Sequence, residues 1–184
     1  IGNPEELTIR SLAERVVATG AALGFAFDGD GDRVLAVDSA GAVRDGDELI
    51  ALVAAHLRGR DMLDGGVAVT VMSNYGFHQA MEAAGIEVAT TAVGDRSVSA
   101  ELERRDWSLG GEQSGHVIWT DFAPTGDGIA AALLVIGALD GADLRDGGLQ
   151  RGGHRLMHGV GIAALHEVGR VAVAAEERVQ FLVA

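Results

Sequence analysis

The chain has 184 residues, 48% hydrophobic content and a formal net charge of -13. This length fits one ordinary domain, or one domain plus part of another, and the acidic balance excludes a general nucleic-acid or membrane-surface role because no basic stripe exists to neutralise phosphates. With Cys 0 and every basic side chain an arginine, disulfides, thiolate nucleophiles, thiolate metal sites and lysine chemistry are excluded within these residues.

No apolar run reaches the length of a membrane span and no basic-then-apolar leader opens the chain, so a cytoplasmic setting is expected. Ile1 stands before a helical pattern already under way, and the chain reads as a fragment. Apolar residues at Leu7, Ile9, Leu12, Val16 and Val17 predict an amphipathic helix from Leu7 to Thr19, stopped by Gly20. A strand, Leu23 to Phe27, follows and leads into Asp28-Gly-Asp-Gly-Asp-Arg33.

In an extended segment alternate residues point the same way, so Asp28, Asp30 and Asp32 can aim their oxygens at one point while Gly29 and Gly31 keep the backbone narrow. Carboxylates this close repel one another, and a hard cation relieves the repulsion. An all-oxygen set with room for water and phosphate suits Mg²⁺ better than a softer metal. An acidic turn without a metal is the alternative.

A second strand, Val34 to Val37, and a turn at Asp38-Ser-Ala-Gly41 come next. Asp45-Gly-Asp-Glu48 has capping-box spacing and opens a helix through Leu57. The chain then alternates: a strand at Val67 to Met72, a helix at Gly76 to Ala84, a strand at Ile86 to Thr90 and a helix at Ser97 to Arg105. Such alternation predicts an α/β fold with a mixed or mainly parallel sheet and helical crossovers. Gly110 to His116 reads as a loop before a β-like run, Val117 to Trp119, and Thr125 or Asp127 caps a buried apolar helix from Ile129 to Leu139. Beyond Asp140 the sequence is Gly-rich with weak periodicity, and no element is assigned before Val171.

Four motifs stand in order: Phe27-Asp-Gly-Asp-Gly-Asp-Arg33, Met72-Ser-Asn74 with Gly76, Val93-Gly-Asp-Arg96 with Val98, and Gly111-Glu-Gln-Ser-Gly-His116. Together they resemble the α-D-phosphohexomutase superfamily, most nearly its phosphoglucosamine mutase branch, from about Leu7 to Leu139. Members have four domains. The resemblance implies that residues 1–42 are the C-terminal part of the metal-binding second domain and 43–145 the sugar-binding third, leaving 146–184 as a divergent tail.

It further implies that Asp28, Asp30 and Asp32 bind Mg²⁺ and that Arg33 helps to position phosphate, although an ion pair with a nearby Asp would explain Arg33 equally. Glu112 and Ser114 would bind sugar hydroxyls, unless their loop is a mere connection. His116 either contacts substrate or is a hydrogen-bonded structural histidine. Asp95 and Arg96 would face substrate, or Asp95 would simply cap the following helix.

The family's phosphorylated serine belongs to the first domain and its phosphate-binding loop to the fourth, and neither has a counterpart here, so no catalytic serine is named. The implied activity of the full-length form is interconversion of glucosamine 6-phosphate and glucosamine 1-phosphate through a phosphoserine and a bisphosphate, with the isolated chain inactive. The alternatives are a phosphomannomutase or phosphoglucomutase, and a haloacid-dehalogenase-type phosphatase with Asp28 as nucleophile. The latter fits less well, because Asp32 stands where such enzymes favour Thr or Val and no lysine is present. A calcium-binding EF-hand starting at Asp28 is excluded by Arg33 at its sixth position and Ser39 at its twelfth.

Overall fold

A computed structural model describes residues 4–140 and 179–183. The irregular tail expected for 146–184 lies outside the described residues except for one terminal strand. In chain order the elements are α1 (Pro4–Thr19), β1 (Leu23–Phe27), β2 (Val34–Asp38), β3 (Val43–Arg44), α2 (Gly46–Arg58), β4 (Val67–Thr70), α3 (Tyr75–Ala83), β5 (Val88–Thr91), α4 (Asp95–Arg105), β6 (Leu109–Gly111), β7 (Val117–Trp119), α5 (Gly128–Asp140) and β8 (Val179–Val183).

They form two sheets, of order β3-β2-β1-β8 and β5-β4-β6-β7. Both are mixed. In the first, β1 runs antiparallel to β2 and parallel to β8. In the second, β4 runs parallel to β5 and β6, and β7 closes the edge antiparallel to β6.

Alternation along the strands decides which helix covers which face. Leu23, Phe25 and Phe27 of β1 and Val67 and Val69 of β4 belong to one continuous core with Ile50, Val53 and Leu57 of α2 and Ala132 and Val135 of α5. The residues between them point outward: Ala26 packs with Leu12 and Val16 of α1, and Ala68 with Val98 and Leu102 of α4. The layers are therefore α1, first sheet, the helices α2, α3 and α5, second sheet, α4. Each fully buried Leu, Ile or Phe in the shared layer contributes roughly 1.5–3 kcal/mol. The loops that leave the two sheets are thus held to one rigid support.

A polar network ties the β2–β3 edge of the first sheet to the start of α2. Asp38 is 4% exposed and accepts the backbone N–H groups of Ala40 and Ala42. The Arg44 guanidinium bonds Asp38 Oδ2 at 2.6 Å and Glu48 Oε1 at 2.8 Å. Burial works against that charge, but its two carboxylate partners hold it above the usual arginine range. Arg44→Ala would leave the Asp38 carboxylate buried without its cation, although two backbone N–H groups remain on it. Urea unfolding is expected to show a loss of about 2 kcal/mol, below the full cost of breaking an entirely buried pair.

Several boundaries differ from those read in the sequence. β4 ends at Thr70, leaving Val71 and Met72 exposed, because its partner β5 ends at Thr91. Gly110 and Gly111 are strand rather than loop: a side chain at Gly110 would stand 2.7 Å from the Ala68 carbonyl oxygen. The helix expected from Ser97 begins at Asp95 with Gly94 in the cap position, so Asp95 is not the cap. Between Thr125 and Asp127, it is Asp127 that caps α5, through Oδ1 and the Ala130 N–H at 2.9 Å. No helix among the described residues is long and apolar enough to cross a membrane.

Candidate metal and sugar site

The acidic loop lies between β1 and β2. A turn closed by the Gly31 N–H on the Asp28 carbonyl, with Gly31 at φ +74°, brings the three aspartates together. One carboxylate oxygen from each of Asp28, Asp30 and Asp32 lies within 4.8 Å of the others. Asp28 also accepts the Arg33 N–H at 3.2 Å, while the Arg33 side chain, half exposed, stands 3.8 Å from Asp28 and gains little from that pair.

Burial raises the Asp28 pKa, but the Arg33 N–H, Asp32 and the Arg33 charge outweigh it, and the group ends below its ordinary value. Asp32 moves the other way, raised first by burial and then by its two acidic neighbours. Asp32 Oδ1 is buried with no hydrogen-bond partner. An orphaned oxygen within a cluster of three carboxylates is what a hard divalent cation would satisfy, and so the donor set fits Mg²⁺.

The second loop, 112–116, joins β6 to β7 and is closed on itself by the Glu112 N–H to the His116 carbonyl and the Gly115 N–H to the Glu112 carbonyl. Its two ends grip different parts of the molecule. Glu112 Oε1 accepts the Gly94 N–H at 2.9 Å, which ties it to the start of α4. His116, 5% exposed, places Nδ1 3.1 Å from Asp32 Oδ2. Ser114 is exposed at the tip.

The glycines explain how closely the two loops approach. Gly115 lies at φ +96°, and its carbonyl accepts the Val34 N–H at 3.0 Å; a Cβ there would overlap the Val34 carbonyl oxygen. At the N-terminus of α5 the Gly128 N–H donates to the Gly31 carbonyl at 2.9 Å, and a Cβ on Gly128 would stand 2.7 Å from the Arg33 carbonyl oxygen.

The structure thus brings Asp28, Asp30, Asp32, Arg33 and His116 into one cluster, and Glu112 into contact with the segment that carries Asp95 and Arg96. Those last two are exposed in the first turn of α4, where Asp95 Oδ1 accepts the Arg96 N–H at 2.7 Å.

Sequence reasoning passed over Asp47. It is 1% exposed, and its Oδ2 accepts the Asn74 N–H at 2.7 Å. Burial raises its pKa above the ordinary 3.8, against the lowering effects of the Asn74 N–H, the Ser73 hydroxyl and His78. The signal was present, since a capping box accounts for Asp45 and Glu48 but gives the acid between them no task. A carboxylate with a raised folded pKa contributes stability below 3.8 that is lost as pH rises through the folded value. Asp47→Asn does not titrate, so its stability relative to the unsubstituted chain is expected to climb with pH across that window, as read by urea unfolding at a series of pH values.

Residues 45–147 match the family described as phosphoglucomutase/phosphomannomutase, alpha/beta/alpha domain III. The chain is 55% identical over 130 residues to a phosphoglucosamine mutase of Parafrankia sp. (strain EAN1pec), a match that covers 70% of this chain and 28% of that protein. It is 53% identical over 128 residues to a phosphoglucosamine mutase of Pseudomonas fluorescens, covering 70% and 29%. Among solved structures, a phosphoglucomutase/phosphomannomutase family protein from Burkholderia thailandensis superposes with TM-score 0.64 at 32% identity, over 74% of this chain and 30% of that one. The chain therefore spans less than a third of the length of the relatives it matches.

Proposed function

Because this chain belongs to the phosphoglucomutase/phosphomannomutase family of α-D-phosphohexomutases, we propose that it is the metal- and sugar-holding part of an enzyme that interconverts glucosamine 6-phosphate and glucosamine 1-phosphate. The relatives at 55% and 53% identity carry the name phosphoglucosamine mutase, which favours an amino sugar over mannose or glucose. Residues 1–42 would be the end of the metal-carrying domain and 43–145 the sugar-carrying domain. The phosphoserine and the phosphate-binding loop would come from parts of the full-length protein beyond this chain.

The observation that carries this reading is the loop 112–116, bonded at its first residue to Gly94 and at its last to Asp32. Asp28, Asp30 and Asp32 would hold Mg²⁺, whose bound charge neutralises the phosphoryl group in transfer. The protein's own groups do the placing. Arg33 presents its guanidinium fork to phosphate oxygens; Glu112 and Ser114 accept from and donate to hexose hydroxyls; Asp95 and Arg96 line the adjoining rim. His116 keeps Asp32 turned toward its two partners, in the way a histidine bound beyond a ligand orients that ligand.

Titration of the 184-residue chain with glucosamine 6-phosphate in Mg²⁺, followed by ¹H–¹⁵N correlation spectra, tests the proposal. Shifts at 28–33, 94–96 and 112–116 without turnover are expected. Absence of shifts in those segments, or ordinary mutase activity in the isolated chain, would overturn it.

A further inference from the structure

The second sheet has a topological switch. From β4 the chain passes to β5 on one side and then returns to β6 on the other. Helix α3 packs in the core shared with α2, whereas α4 packs on the opposite face. In an open α/β sheet the crevice lies where the connections diverge, at the C-terminal ends of the strands; here that is between β4 and β6. One lip is the loop 112–116. The other is the turn 71–74, on which Val71 and Met72 are 63% and 59% exposed, with Tyr75 beside it at 75%.

The first turn of α2 touches both lips. The Gly46 N–H donates to the Gln113 carbonyl at 2.9 Å, and Gln113 Nε2 donates to Asp45 Oδ2 at 3.2 Å. On the other side Asp47 Oδ2 takes the Asn74 N–H, and Asn74 in turn caps α3 through its Oδ1 and the Phe77 N–H at 3.0 Å. Asp47 has no capping duty, because Asp45 and Glu48 complete the box without it. Its Oδ1 and the Ser73 Oγ are both buried, and beyond the Ser73 hydroxyl the carboxylate has only the Asn74 N–H as a hydrogen-bond partner among the described residues. A buried carboxylate with so few partners is costly and is kept where it fixes something.

We infer that Asp47 is a positioning residue for the sugar crevice: from the turn that anchors the Glu112 loop, it holds the Ser73–Asn74 turn at a set distance opposite, making that turn the second wall. The inference rests on the hexose-phosphate reading above. The exposed Met72 and Tyr75 give that wall an apolar surface for the C–H face of a sugar ring.

The test compares the 184-residue chain with its Asp47→Ala, Asp47→Asn and Asp47→Glu variants, all in Mg²⁺, by titration with glucosamine 6-phosphate and by exchange of the Asn74 amide. Asn keeps an oxygen for that amide and Ala does not. Asp47→Ala is expected to weaken sugar-phosphate binding by about tenfold, the loss of one hydrogen bond to a charged group, with faster Asn74 exchange. Mg²⁺ affinity measured without sugar should stay within about twofold, and Asp47→Asn should bind within about threefold of the parent.

Equal binding by Asp47→Ala and the parent would overturn the inference. So would a loss in Asp47→Asn as large as in Asp47→Ala while Asn74 stays protected. Should Asp47→Ala not fold, Asp47→Glu decides, because it keeps the acceptor but displaces it by a methylene; unchanged sugar-phosphate affinity there would also overturn the inference. A parent chain that binds Mg²⁺ but no sugar phosphate overturns the hexose-phosphate reading and the crevice wall with it, and that failure is seen before any variant is made.

Discussion

Asp32→Asn is expected to lower the affinity of the chain for Mg²⁺ by on the order of 100-fold while leaving the metal-free chain as stable as before or more so. The two halves of that result have one cause. Asp32 holds a carboxylate with one buried, partnerless oxygen against two other acids, and burial together with those neighbours raises its pKa. Without a cation the charge is a burden that an amide removes; with a cation it is a ligand that an amide replaces poorly. The amide still offers His116 Nδ1 a partner at the position of Asp32 Oδ2, so the fold loses little. Calorimetric titration and thermal unfolding of the same samples read both halves. A variant that keeps its Mg²⁺ affinity would show that the aspartates are an acidic turn and nothing more.

Gly115→Ala should be the most damaging single methyl group in the site, at about 4 kcal/mol by urea unfolding. A side chain at φ +96° is strained by roughly 1–3 kcal/mol, and the added carbon would also overlap the Val34 carbonyl oxygen and stand 3.0 Å from the Val34 carbonyl carbon. Neither partner is a flexible side-chain end, so relief requires the loop to withdraw from β2. Withdrawal breaks the Gly115 carbonyl bond to the Val34 N–H and pulls His116 from Asp32. Faster exchange at the Val34 amide and weaker Mg²⁺ binding should therefore accompany the loss of stability. Gly85→Ala is the control, since Gly85 is also at positive φ (+64°) but has nothing within 4 Å of an added Cβ. It should cost about 1 kcal/mol and leave Mg²⁺ binding alone.

The parts of this structure that were legible in the sequence are those that short stretches decide. The acidic loop declares itself because its alternating Asp and Gly sit between two apolar runs that become β1 and β2. The capping box at Asp45 and Glu48 forms as its spacing requires, with both reciprocal hydrogen bonds present. The parts that were not legible depend on distant partners.

Nothing local tells Asp47 that it will meet Asn74, or His116 that it will meet Asp32, positions 27 and 84 residues apart. Gly110 and Gly111 read as loop because glycine usually marks one, yet they are strand residues chosen for how closely Ala68 and His116 approach them. Ile86 reads as the start of a strand, but its N–H closes the end of α3 on the Met81 carbonyl, and pairing with β4 starts at Val88. β3 has two residues and no periodicity of its own; it exists because β2 offers it an edge.

In the proposed site the acidic loop and the loop 112–116 surround one divalent cation. Replacing Mg²⁺ by paramagnetic Mn²⁺ and recording which amide signals broaden first tests it most directly. Gly29, Gly31 and Asp32 should broaden together with Gly115, His116 and Gly128 from across the seam, while Arg104 and Arg105 at the far end of α4 stay sharp. Broadening that spares Gly115, His116 and Gly128, or that centres on any other part of the chain, would contradict the account.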